Sequence, residues 1–263
     1  MYKDKTDFIK HLKNSFLLLG KLRWKIVYPI LLDIISFVVF STVAYYLQIQ
    51  ILEKFEKLIE VKEQLDTSVS QNTLAFALEL ATKMQQHLNE LLLLLLTLVF
   101  SIIAIWILIQ PFSWLILARM KEKVKVFDYF SYFSYLTIMS SVVSFIFFGF
   151  VINYIYQTSD YFASWIKPSI WIISILLTYM TIVGYALLPQ KSFKELLIKI
   201  PKAAFSWNAI AATLTMVVVA VLSYVLFSSL YAFQPRISLI VGFFWVFLLW
   251  SWSRLYLIEV IRS

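Results

Sequence analysis

Long uninterrupted runs of apolar residues occur six times along the chain. They lie near 26–47, 91–118, 134–156, 169–189, 209–231 and 237–257. Each is about 20 residues or longer, which is what an α-helix needs to cross a hydrocarbon core of roughly 30 Å. The runs are too long and too uniform for the alternating strands of a membrane barrel. The pattern therefore predicts an all-α, polytopic bundle of six transmembrane helices, forming a single integral membrane domain over residues 1–263.

A different pattern fills residues 48–90, between the first two runs. Apolar residues recur there every three or four positions, which is typical of a helix with one apolar face. A turn-rich stretch, 66–73, separates the two helical patterns. We interpret the apolar positions as a face that binds a partner protein or a second copy of the chain; they are Ile51, Phe55, Leu58, Leu74, Leu78 and Leu88.

Two arrangements of this segment are open from the sequence. Neither helix has a stop signal toward its transmembrane run, so each arm continues from its span, and each is about 26 Å long. The matched arms predict an antiparallel helical hairpin standing out from the membrane. The alternative is two amphipathic helices lying flat on the outer leaflet. The mixture of acidic and basic residues favours the hairpin.

The charges indicate the orientation. The two termini and the second and fourth loops together have 17 cations and six acids, whereas the opposite side has six cations and eight acids. Cytoplasmic segments of membrane proteins are enriched in lysine and arginine. This predicts a multi-pass protein of the cell membrane with both termini cytoplasmic and the hairpin outside. On the inner side we expect an amphipathic elbow at 1–25 and loops at 119–133 and 190–208.

Composition excludes several functional classes. The chain is 61% hydrophobic, 14% charged and has no cysteine, so no thiolate metal site can form. The only histidines, His11 and His87, stand alone, and no nucleotide-binding or hydrolase motif occurs. We therefore expect no metal, no cofactor, no catalytic residues and a non-enzymatic protein. The net charge of +8 is explained by topology and by the attraction of anionic headgroups, so nucleic-acid binding is not needed.

One acid, Asp33, lies inside the first apolar run. A carboxylate there costs on the order of 2–3 kcal/mol unless it is protonated, hydrated or paired, so it must face protein or water. Pro29, one turn earlier, and Gln110 in the second run complete a candidate buried polar site. Either Asp33 is a cation or proton site open to the cytoplasm, or it is a structural acid held by a basic side chain. The basic candidates at the inner helix ends are Lys25, Arg119 and Arg254.

The number of spans, the cytoplasmic termini, the elbow-like helices and the basic loop after the second span resemble the six-span permease subunit of ATP-binding-cassette exporters. The layout also resembles several uncharacterised six-span membrane families. The exporter resemblance implies that residues 119–128 contact a cytoplasmic nucleotide-binding partner. Two functions follow. The first is a scaffold or complex subunit whose external hairpin binds a partner; the second is a permease or channel for a small solute, ion or lipid with Asp33 in its pathway.

Overall fold

The computed structural model describes residues 3–70, 74–119, 123–157, 163–188 and 192–262. Within these ranges the chain is helical and contains no strand. A 3₁₀ turn, Arg23–Ile26, joins the first two of eight α-helices. The helices are α1 (Lys3–Leu22), α2 (Val27–Ser70), α3 (Leu74–Arg119), α4 (Val126–Gln157), α5 (Ala163–Leu187), α6 (Phe193–Ala204), α7 (Trp207–Phe233) and α8 (Pro235–Ile261).

Six of these helices, α2, α3, α4, α5, α7 and α8, are long and apolar enough to cross a membrane. They coincide with the six apolar runs of the sequence, so the prediction of a multi-pass, all-α membrane protein is confirmed. The two remaining helices, α1 and α6, are shorter and more polar.

Helices α2 and α3 are far longer than a membrane requires. They contain 44 and 46 residues, which corresponds to about 66 and 69 Å. Each therefore continues well beyond a hydrocarbon core of roughly 30 Å without a break. The end of α2 at Ser70 lies inside the turn predicted at 66–73, and residues 71–73 lie outside the described residues. The helical hydrogen bonds thus extend further into this stretch than its serine and threonine residues suggested.

The loop predicted at 119–133 is shorter than expected, because residues 126–133 form the first turns of α4. Tyr129 and Phe133 are fully buried there, so tertiary packing contributes to the helix in a segment that the sequence analysis assigned to an inner loop. Residues 120–122 lie outside the described residues.

The chain divides into two compact units, Ile35–Leu108 and the remainder. In the larger unit α7 packs along α8, α4 along α5, α6 against α5 and α1 against α8. Its core is concentrated at one end of the bundle, where the ends of α3, α5 and α8 meet the beginnings of α4 and α7. Fully buried side chains of this core include Trp114, Leu117, Tyr129, Phe133, Leu188, Leu196 and Tyr256.

The elbow helix α1 is fixed to the last span by aromatic contacts. Phe16 stacks on Trp252 with ring centroids 5.3 Å apart, and the Trp252 indole N–H donates to Ser15 Oγ at 3.3 Å. Across the other side of the core, α6 begins at a cap in which Ser192 Oγ accepts a hydrogen bond from the Glu195 N–H. Helix α6 buries Leu196, Ile200 and Ala204 and packs against α5, as α1 packs against α8.

Small and polar side chains bring α4 and α5 together. Thr137 Oγ1 and the Tyr185 hydroxyl are 2.8 Å apart, and the Tyr185 ring stacks on Phe133 with centroids 4.0 Å apart. Beside them Gly184 lets Leu136 and Ile200 approach, since a Cβ on Gly184 would lie 2.5 Å from Leu136 Cδ2. This close approach of α4, α5 and α6 forms one wall of the buried core.

Candidate functional site

Asp33 and Arg254 form an ion pair in the buried end of the bundle. Asp33 lies on the second turn of α2, and Arg254 lies on the last two turns of α8. The Arg254 guanidinium donates through Nη2 to Asp33 Oδ2. Their exposed fractions are only 3% and 1%. The acid that the sequence singled out thus has a basic partner from the opposite end of the chain.

Polar side chains of α3 and α8 surround this pair. Gln110 Nε2 donates to Asp33 Oδ1 at 3.1 Å, and Gln110 Oε1 accepts from Arg254 Nη1 at 3.3 Å. Arg254 Nη1 also donates to Ser113 Oγ at 2.7 Å, while Ser113 Oγ lies 3.3 Å from Asp33 Oδ1. Ser251 Oγ lies 3.5 Å from Arg254 Nη2. The amide and the hydroxyls therefore bond to both the carboxylate and the guanidinium through Asp33 Oδ1 and the two Nη atoms of Arg254, whereas the buried Arg254 Nε has no hydrogen-bond partner among the described residues.

Two tryptophans flank the guanidinium. The Arg254 Cζ atom lies 5.6 Å from the ring centroid of Trp114 and 5.6 Å from that of Trp250. Aromatic faces attract a cation within about 6 Å, and the attraction is stronger away from water. These rings exclude water from one side of the ion pair and stabilise its positive member. Arginine suits this position because its planar group can stack and hydrogen-bond at the same time.

The arrangement connects three helices mechanically. Asp33 belongs to α2, Gln110 and Ser113 belong to α3, and Arg254 belongs to α8. Removing either charge would leave the other buried and uncompensated, which typically costs about 3–5 kcal/mol. The cluster therefore holds the ends of these helices in one arrangement, because donors of one helix pair with acceptors of another.

Pro29, the third member of the candidate buried polar site, lies at the start of α2. The structure begins α2 only at Val27, after the 3₁₀ turn, so Pro29 lies in the first turn, where N–H groups have no helical partner. Pro29 is buried, and its carbonyl oxygen lies 3.4 Å from Ser113 Oγ.

The sequence named three cations as partners for Asp33, and the structure brings one of them, Arg254, to it. Arg119 instead donates to the Val124 carbonyl, and Lys25 is exposed. Sequence reasoning missed Ser113, Ser251 and the tryptophans. One signal pointed to this side of the cluster: Arg254 falls within the last apolar run, so it too needs a buried partner.

Within residues 35–108, α2 and α3 pack side by side, and we call the line of less exposed residues between them the seam. Lys54 Nζ on α2 donates to Glu90 Oε2 on α3 at 2.6 Å, which fixes an antiparallel register. Residues with reduced exposure recur in steps of four and three, the spacing of a coiled coil. On α2 they include Leu47, Ile51, Lys54, Leu58, Val61 and Leu65; on α3 they include Leu80, Met84, His87, Leu91, Leu94 and Leu98.

This seam divides the residues proposed as a partner-binding face. Ile51 and Leu58 lie on the seam positions and are partly buried, whereas Phe55, Leu78 and Leu88 are exposed. The side chain of Leu74 lies outside the described residues. Some of the apolar residues that the sequence analysis assigned to a partner-binding face, Ile51 and Leu58, therefore lie between α2 and α3 instead.

Comparison of the chain with protein-family models, with curated proteins and with solved structures finds no match. The part of the exporter resemblance that the structure shows is the set of six membrane-spanning helices.

Proposed function

We propose that this protein is a non-enzymatic subunit or scaffold of a membrane complex, and that its α2–α3 hairpin projects from the outer face to bind a partner protein or a second copy of the chain. The observation that carries the proposal is the apolar surface left on the hairpin after its seam is formed. Leu52, Phe55 and Ile59 follow one another at helical spacing on α2, with exposed fractions of 53%, 49% and 43%.

The position of this surface supports a protein contact. If α2 enters the membrane near Val27, about 20 residues suffice to cross it, and roughly 35 Å of helix remains beyond. The apolar stripe lies in that part of α2, with Glu53, Glu56 and Glu60 beside it. Contiguous apolar surface bordered by charges is typical of protein interaction sites. If the two helices lay flat on the outer leaflet, lipid would cover the same stripe. The experiment must therefore distinguish contact with protein from contact with lipid.

A photocrosslinking amino acid placed on the hairpin separates these outcomes. With the crosslinker at Phe55 or Leu78 we expect discrete protein adducts in native membranes. At Lys62, which is exposed and polar, we expect none. Adducts of twice the chain mass identify a second copy. Adducts to lipid alone, or equal yields at Phe55 and Lys62, would refute the proposal of a protein-binding hairpin.

The alternative of a permease using Asp33 has less support. Such a pathway needs a carboxylate that can exchange partners with a passing cation or proton. Asp33 is held by Arg254, Gln110 and Ser113 together. A flux assay in liposomes tests this directly: the permease hypothesis requires transport by the native chain and its loss in Asp33→Asn.

A further inference from the structure

An apolar groove runs along the outside of the bundle where α3 ends and α4 begins. Its volume is about 650 Å³, within the range of roughly 300–1,000 Å³ that holds small ligands. Phe112 of α3 packs edge-on against Phe130 of α4, with centroids 4.5 Å apart. The lining residues include Phe112, Phe127, Phe130, Ser134, Tyr135 and Ile138.

The length and direction of the groove fit one leaflet of a bilayer. It begins at Val126, the first residue of α4, and reaches Ile138, three turns further along the helix. Twelve residues of α-helix rise about 18 Å, which is close to half of a hydrocarbon core of roughly 30 Å. A groove of this length, open at its side and predominantly apolar, matches an extended acyl chain.

Two lysines precede α4 in the chain, and the groove begins at the first residue of that helix. Lys125 directly precedes Val126, and Lys123 is two residues earlier; both side chains are exposed. The guanidinium of Arg119, at the end of α3, donates to the Val124 carbonyl at 3.3–3.4 Å, which holds Val124 close to that helix end. Across 119–128 the sequence has four cations and two acids, one of which is Asp128 in the first turn of α4.

We propose that this groove is a binding site for a single phospholipid with an anionic headgroup. One acyl chain lies against Phe112, Phe130 and Ile138, and the headgroup phosphate lies beside Lys123 and Lys125. Charge complementarity selects the headgroup, because basic pockets near the ends of transmembrane helices attract anionic lipids. The aromatic side chains provide the apolar contact area for the chain.

Native mass spectrometry of the full chain in detergent tests the proposal, with phosphatidylglycerol and phosphatidylcholine of identical acyl chains as probes. We expect one phosphatidylglycerol to bind about tenfold more tightly than phosphatidylcholine. K123Q/K125Q should remove this preference. The matched control K10Q/K13Q, which neutralises two exposed lysines of α1, should leave it within twofold. Equal binding of the two lipids by the native chain would overturn the proposal, as would equal losses in the two variants.

A second pair of variants tests the groove itself. Ser134→Phe fills it near the middle, and Ile138→Trp enlarges its far wall, so each should abolish binding of either lipid. Because S134F alone risks disturbing α4, the second variant keeps the test decisive if the first does not elute as a monodisperse species. Retention of the lipid in both, or its displacement by soluble glycerol phosphate at equal concentration, would show that no acyl-chain site exists here.

Discussion

Arg254 on α8 and Asp33 on α2 form a buried ion pair between residues 221 positions apart in the chain. Together with Gln110 they join the first, second and last spans of the bundle. A charge of either sign is costly within a membrane, and here each charge compensates the other. Either residue can therefore be buried at low cost only when these three spans are correctly assembled.

The first prediction concerns this pair. Asp33→Asn and Arg254→Gln should each lower the free energy of unfolding by about 3–5 kcal/mol, because each leaves an uncompensated buried charge. The double variant should lose less than the sum of the two single losses. Chemical unfolding in detergent, followed by circular dichroism, measures all three.

The matched control for the ion pair is Lys57→Gln, which breaks the exposed Glu53–Lys57 pair at 2.6 Å. That change should leave the free energy of unfolding nearly unchanged, because an ion pair in full contact with water contributes little to stability. Additive losses in the Asp33 and Arg254 variants, or losses no larger than that of K57Q, would show that the pair does not hold the spans together.

The second prediction concerns the contact of α4, α5 and α6. In Gly184→Ala the new Cβ would lie 2.5 Å from Leu136 Cδ2 and 3.0 Å from Ile200 Cδ1. Both side chains must move, so we expect a loss of about 1–3 kcal/mol in the free energy of unfolding. Thermal melting in detergent measures it. Gly149→Ala is the control, since nothing lies within 4 Å of its Cβ and alanine is the better helix former. Equal melting temperatures for the two variants would contradict the close packing at Gly184.

The third prediction concerns the seam of the hairpin. Its register places Leu58 of α2 opposite His87 of α3, one turn from the Lys54–Glu90 ion pair. The chain has no cysteine, so Leu58→Cys/His87→Cys carries only the introduced thiols. A short bismaleimide should link them within one chain, which a protease cut in the hairpin followed by electrophoresis detects. Phe55→Cys/Leu88→Cys, at exposed positions, should give no such link. The reverse outcome would mean that the register is wrong.

The fourth prediction concerns orientation. A maleimide that does not cross membranes should label Glu60→Cys in intact cells, because the charge distribution directs the hairpin outward. Lys194→Cys, on the predicted inner side, should be labelled only after the membrane is permeabilised. Labelling in the opposite order would invert the topology, and the outer hairpin of the proposed function would then face the cytoplasm.

The individual elements were largely predictable from local pattern. The six spans follow from apolar runs, since no other structure satisfies the backbone of such segments in lipid. The continuity of α2 and α3 through their spans also follows, because no residue in either junction stops a helix. The start of α2 at Val27, directly after the 3₁₀ turn, was not predicted, because no residue of the local pattern marks that boundary.

The partner-binding face shows a second limit of local pattern. A spacing of three and four residues shows that Ile51 and Leu58 share one side of a helix, and any apolar partner would produce the same spacing. Only the opposed helix α3 decides that these positions turn inward while Phe55 remains exposed. The exposed apolar stripe can therefore be identified only when the residues that pack between α2 and α3 are known.

By itself, the sequence determined that this is an all-α membrane protein with six candidate spans and an acid at Asp33 within the first, and that the first two spans continue without a stop into long helical arms. The tertiary structure alone decided that Arg254 is the partner of that acid, which side of the hairpin is used internally, and that a groove opens between Phe112 and Ile138. The physical reason is the distance along the chain over which the interactions act. Helix formation in lipid depends on neighbouring residues, whereas a buried charge, a seam and a groove depend on side chains that are brought together from distant parts of the chain.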